Sequence, residues 1–287
     1  MYNLLIPGTI GIQNISLADS IKLAKDAGFE GVSFDIFEAK AYADEHGVAA
    51  LKDLFGDIIP GVWNTGVNWQ DDAHRDAQIE ALKPVLSLAQ ELGSLNVTTG
   101  IMPANNERPY DEQYAYLQPR LKQLAEALAA GGVRIGIEFI TPKTLRDQFT
   151  YQFIYKMTDM LAFAKDVGTG NVGVLFDVWH HYCAHGTLAD MDVLTAEDVQ
   201  LVHTNDAPLG LEIDQQQDLS RTLPMETGVI PAPEMLKKLA AIGYDGGVAA
   251  EPFSKALNEL ATTDPLAAAT RTAEANEKLF AAAGLRG

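Results

Sequence analysis

Four polar residues between positions 138 and 251 each sit inside a short apolar run: Glu138 in GIEF, Asp177 in LFDVWH, His203 in VHTND and Glu251 in AAEPF. An isolated charge is costly to bury in such a run. Three carboxylates brought to one place would repel one another, and a divalent cation removes that repulsion and supplies the missing ligation. Carboxylates with one imidazole suit Mn²⁺ first, and also Mg²⁺, Co²⁺ or Zn²⁺. Any one of these residues alone would equally suit a structural ion pair or a helix cap. Four at the same end of four successive strands favour a shared site.

The chemistry such a site supports starts next to a carbonyl. A metal that chelates the carbonyl and hydroxyl oxygens of an α-hydroxy ketone acidifies the adjacent C–H and stabilises the enediolate. A carboxylate within hydrogen-bond reach takes that proton. Returning a proton on the other face epimerises the carbon, and returning it to the neighbouring carbon interconverts aldose and ketose. With a leaving group in the β position, the same intermediate leads to dehydration or eliminative cleavage.

Further candidates surround this set. His180 lies three residues beyond Asp177, past the strand end, and is expected to touch substrate rather than metal. Trp63 and Trp69 flank the loop after the third strand, where they either stack on a sugar face or pack over the barrel top. Lys143 and Arg146, in TPKTLR, are the basic groups nearest Glu138 and could bind an anionic substrate group. Asp206 could orient a ligand or Arg221, and both count among the substrate-binding candidates. His181 and His185 read as packing or surface residues, because their spacing with Cys183 matches no zinc pattern. His46 and His74 read as structural residues on helices. No glycine-rich phosphate cradle accompanies the last two strands, which favours an unphosphorylated substrate.

Eight β-branched runs carry these residues: 3–8, 31–36, 58–64, 96–103, 134–140, 171–178, 200–206 and 247–253. Amphipathic stretches separate them. Ser16 caps the first, with Asp19 at the third position of a capping box, and Gly28 ends it. Stretches 80–93, 112–131, 162–168 and 233–243 likewise end in glycine before the next strand, and 267–283 is a further Ala-rich helix. Alternating βα units imply a parallel sheet, so the expectation is a single (β/α)₈ TIM barrel spanning residues 1–287. The alternative is an open doubly wound sheet. Gly168, Gly170 and Gly173 match GxGxxG, but they end a helix and open a strand, the reverse of a dinucleotide site.

The bulk properties agree with this reading. A chain of 287 residues that is 47% hydrophobic can build one large barrel. No apolar run approaches the ~18 residues of a membrane span, and no export signal is evident, so the chain is expected in the cytoplasm. The single cysteine fits a reducing compartment. A formal charge of −18 disfavours nucleic acid and anionic membranes as partners. A small-molecule partner is expected, and homo-oligomerisation stays open.

The ordered set GIEFI, LFDVWHHY, VHTNDAP and GVAAEPF resembles the xylose isomerase-like superfamily, and within it the sugar phosphate isomerase/epimerase group. The resemblance covers most of the chain and is strongest over 134–253. It implies that Glu138, Asp177, His203 and Glu251 are the ligands of one divalent metal. It also implies that the two glutamates double as proton-transfer groups and that His180 meets a substrate oxygen. The type IV endonuclease branch fits less well, since the expected histidines of the third and fourth strands and an Asp-x-His after the seventh are missing. The leading expectation is therefore a metal-dependent sugar isomerase or epimerase acting on a ketose or polyol-derived substrate. A lyase on the same site is the alternative, of the inosose- or dehydroshikimate-dehydrating or 3-keto-glycoside-cleaving kind. A non-catalytic sugar-binding barrel is a third reading, opposed by the intact ligand set.

Overall fold

The computed structural model describes residues 1–286. Eight parallel strands close a barrel: β1 (Tyr2–Leu5), β2 (Gly31–Phe34), β3 (Ile59–Trp63), β4 (Asn96–Ile101), β5 (Arg134–Phe139), β6 (Val172–Asp177), β7 (Val199–Thr204) and β8 (Gly247–Ala250). β8 pairs with β1, Asn3 opposite Val248, so no sheet edge is left. The closed barrel replaces the open sheet considered as the alternative.

Helices wrap the barrel. α1 (Leu17–Ala27) starts at Ser16, whose hydroxyl accepts from Asp19 N and donates to its carboxylate. Gly28 ends it with φ 85°, a conformation that favours glycine. Two helices, α2 (Ile36–His46) and α3 (Val48–Phe55), fill the β2–β3 crossover. Then come α4 (Arg75–Leu92), α5 (Tyr110–Ala129), the one-turn α6 (Lys143–Arg146), α7 (Met157–Asp166) and α8 (Val178–Cys183). α9 (Ala232–Ala241), α10 (Lys255–Thr263) and α11 (Pro265–Ala282) complete the shell. The Gly168–Gly173 stretch joins α7 to β6, with Gly168 and Gly170 at φ 78° and 79°. No helix among the described residues is long and apolar enough to cross a membrane.

The apolar side chains fall into two layers. Leu4, Val62, Leu175, Leu201 and Ala249 fill the barrel interior, and a much larger cluster packs between strands and helices. The interior is therefore plugged below the C-terminal mouth. Small residues let the strands approach at the opposite, N-terminal end. A Cβ at Gly173 would run into the Asp198 carbonyl oxygen and lie 2.6 Å from Gln200 Oε1.

Gly173→Ala is expected to lower stability by roughly 1–3 kcal/mol through overpacking against backbone. That corresponds to a melting temperature about 2–4 °C lower per kcal/mol for a chain near this size, and it should leave activity per folded molecule unchanged. A melt matching the parent within error would contradict this packing.

Candidate functional site

The C-terminal ends of β5 to β8 form one polar arc. Strand alternation aims Glu138, Asp177 and His203 inward, with Glu138 level with Gly100 and Asp177 level with His203. Glu251 lies just past β8, where its N–H donates to Thr204 O at 2.8 Å and extends the ladder. One donor atom from each of Glu138, Asp177, His203 and Glu251 lies within 4.8 Å of every other. His203 Nδ1 is 3.3 Å from Glu251 Oε2, 3.5 Å from Glu138 Oε1 and 3.9 Å from Asp177 Oδ2.

The donor set fits a divalent cation. Both nitrogens of His203 and Oε1 of Glu138 are buried without a hydrogen-bond partner. Unpaired buried polar atoms are rare in folded proteins, and here His203 Nδ1 and Glu138 Oε1 face each other at 3.5 Å. Three hard oxygens and one imidazole are the ligation such ions accept.

The arc is wired into the chain around it. Asp177 Oδ1 caps α8, accepting from Trp179 N at 2.6 Å and His180 N at 3.1 Å. Its Oδ2 accepts from Arg221 Nη1 at 2.8 Å, and the same nitrogen donates to Glu251 Oε2 at 2.9 Å. Arg221 Nη2 donates to Asp218 at 3.0 Å and lies 3.1 Å from His180 Nε2. Asn205 was not singled out by sequence. Its Nδ2 sits 3.4 Å from both Asp177 oxygens and 3.3 Å from the Glu251 carbonyl. Its position two residues after His203, on the same inward face, was the available signal.

Electrostatics separate the groups. Burial, and then the charge of Glu251, push Glu138 up to about 7. Burial opposes charge on His203, but Glu251 and Glu138 outweigh it and hold the imidazolium well above its usual range. Burial likewise opposes charge on Asp177, and Arg221, His180, His203 and the His180 N–H together outweigh it and keep the carboxyl low. His180 moves down to about 4, chiefly through burial. It is therefore neutral near pH 7. Its Nδ1 faces Thr141 N–H at 3.2 Å and its Nε2 faces Arg221 Nη2 at 3.1 Å, and a neutral ring accepts from one of the two.

Several expected substrate contacts are corrected. Trp63 does not face the mouth. A register shift between β2 and β3 sets it level with Phe34 in the helix-facing layer, and its indole N–H donates to Ser94 O at 3.0 Å. Trp69 is also buried, donating to Thr99 Oγ1 at 2.9 Å. Arg146 braces its own loop, donating to Thr141 O at 2.8 Å and Gln152 Oε1 at 2.7 Å and stacking on Tyr155. Lys143 is partly exposed and pairs with Asp147 one turn away. Asp206 does not touch Arg221. Its carboxylate accepts backbone N–H groups from Ala207, Thr227, Gly228, Val229 and Ile230, anchoring the long loop after β7. Its backbone bridges Thr222, the residue next to Arg221. His180 and Arg221, by contrast, do border the arc. His181 packs on Phe176, and exposed His185 pairs with Asp214. His46 ends α2, whereas His74 precedes α4 as its N-cap.

A family model described as xylose isomerase-like TIM barrel matches residues 21–277. The chain is 24% identical over 250 residues to a ketose 3-epimerase of Arthrobacter globiformis, covering 83% of this chain and 78% of that one. It is 22% identical to an inosose isomerase of Bacillus velezensis, over 92% of this chain and 93% of that one. A xylose isomerase domain protein from Alicyclobacillus acidocaldarius has a structure similar at TM-score 0.84 and 29% identity, with 99% of both chains covered.

Cation binding should release protons, because Glu138 and His203 must shed theirs before they can ligate. With Glu138 near 7 and His203 held above its usual range, affinity for Mn²⁺ is expected to rise as pH is raised from about 6 to 8. Titration calorimetry in buffers of different ionisation enthalpy reads the released protons directly. A pH-independent affinity with no proton release would refute this ligand set.

Proposed function

The chain belongs to the xylose isomerase-like TIM barrel family, and from that premise we propose that it is a divalent-metal-dependent sugar isomerase or epimerase. The observation that carries the reading is the four-residue arc, with a glutamate at each end and an imidazole between. A ketose 3-epimerase and an inosose isomerase among its relatives support a ketose or polyol-derived substrate. Mn²⁺ is the ion we assign to Glu138, Asp177, His203 and Glu251, since carboxylate-rich ligation suits it.

A bound divalent ion would supply Lewis acidity, polarising the carbonyl so that the neighbouring C–H becomes acidic. The chain's own residues do the rest. Glu138 and Glu251 come from strands at opposite ends of the arc and are placed to serve two faces of a substrate lying across the mouth. One removes the proton α to the carbonyl and the other returns one. His180 and Arg221 lie side by side at the edge of the arc, Nε2 3.1 Å from Nη2, and are placed to meet a substrate oxygen. Gly100, on the neighbouring strand β4, carries no side chain beside Glu138, where a Cβ would lie 3.9 Å from Oε2 and 3.5 Å from Ile140 Cδ1. Lys143 and Arg146 are committed to Asp147 and to the loop. The Arg146 guanidinium is already filled by its own loop, which supports an unphosphorylated substrate.

Glu138→Gln and Glu251→Gln are each expected to lower turnover by roughly 10²–10⁴-fold even when metal-loaded, because an amide oxygen can ligate but cannot accept a proton. The assay is exchange of the substrate's α-hydrogen with deuterated solvent across a panel of ketoses and inososes, with metal content measured in parallel. Parental exchange by either loaded variant would rule out two-carboxylate proton transfer. A product with a conjugated, ultraviolet-absorbing carbonyl would replace isomerisation by elimination.

His180→Ala should keep its metal while losing substrate affinity, whereas Asp177→Ala should lose metal. Equal metal loss in both variants, read by elemental analysis, would make His180 a ligand instead.

A further inference from the structure

Arg221 is almost completely buried, yet it is not a ligand type for a cation. Its guanidinium lies 4.3 Å over the Trp179 ring and 5.1 Å from that of Phe253. Phe253 is held at φ 40°, an uncommon backbone conformation for a bulky residue, immediately after the Glu251-Pro252 pair. The chain on the other side is pinned too, because Thr222 exchanges backbone hydrogen bonds of 2.9 and 3.0 Å with Asp206. Arg221 is thus fixed from both sides, with Nη1 shared between Asp177 and Glu251.

Charge counting gives this placement a meaning. Three ligating carboxylates carry −3, Arg221 carries +1, and a neutral ligating His203 adds nothing, so the ligand set with Arg221 presents −2, apart from the more exposed Asp218 beyond it. One divalent ion balances it. We propose that Arg221 is a built-in counter-charge that holds down the affinity of the cluster for its metal and matches it to a divalent ion. The inference rests on the metal-site reading above and adds a tuning element to it. Arg221 stabilises Asp177 and Glu251 most when no second cation competes for their oxygens, so its presence opposes metal binding by linkage. Asp218 acts in the opposite sense. It lies 3.0 Å from Arg221 Nη2 and offsets part of the guanidinium charge, outside the ligand set.

The test uses two variants with opposite expected signs, read by Mn²⁺ titration with electron paramagnetic resonance of the free ion. Arg221→Met keeps apolar volume and removes charge, and should tighten Mn²⁺ binding at least about tenfold, an effect of the size expected for one close charge at intermediate dielectric. Its preference for La³⁺ over Mn²⁺ should also rise. In excess EDTA its melting temperature should fall below the parent's, and saturating Mn²⁺ should raise it by more than it raises the parent. Asp218→Asn leaves Arg221 less compensated and should weaken Mn²⁺ binding a few-fold. General damage to the site would weaken both variants, so a shift in the same direction overturns the proposal, as does parental or weaker Mn²⁺ affinity in folded Arg221→Met. If Arg221→Met does not fold, Asp218→Asn decides alone, and parental or tighter binding by it overturns the proposal. A parent protein that binds no Mn²⁺ removes the metal-site reading itself, a result distinct from any of these.

Discussion

Mutual repulsion among Glu138, Asp177 and Glu251 is the constraint around which the mouth of this barrel is built. Three carboxylates with donor atoms inside a 4.8 Å neighbourhood, two of them almost wholly buried, cannot all stay ionised without compensating positive charge. Every nearby oddity of the structure answers that need. Glu138 is driven toward its protonated form, His203 toward its charged form, and Arg221 is drawn into a depth that arginine seldom occupies. The tension is a property of the residues themselves. It would exist in any chain that placed them on four neighbouring strands.

The main features of this arrangement were readable from sequence because they are local and periodic. Eight β-branched runs, glycines at helix ends and one polar residue per late strand are short-range signals, and the barrel follows from their alternation. The same period of two identifies inward positions on β5 to β8, where the strands are regular. It misleads on β3. There a register shift against β2 inserts one residue and turns Trp63 to the outer face. Nothing in the tripeptide around Trp63 encodes that insertion, since it shows only in the pairing of β3 with β2.

Arg146 and Asp206 were misassigned for a related reason. A charged residue near a strand end looks available until its partners are known, and those partners are distant or lie on backbone. Asp206 is filled by N–H groups that arrive more than twenty residues later in the chain. Arg146 is filled by a carbonyl, an amide and a ring of its own loop. Both carry the supporting architecture of the mouth. Asp206 holds the loop that delivers Arg221, and Arg146 braces Thr141, whose N–H faces His180 Nδ1.

All four donors come from residues 138–251, while β1 to β4 contribute none. The barrel is therefore divided by labour along its chain. One half carries the charges and cannot change without upsetting their balance. The other half completes the wall and adjoins the charged arc at Gly100, beside Glu138. Substitutions in that first half can reshape the space above the arc and leave its electrostatics intact. In evolutionary terms, substrate choice can drift within such a lineage while the proton chemistry stays fixed, and enzymes of shared mechanism and divergent substrate are the expected descendants.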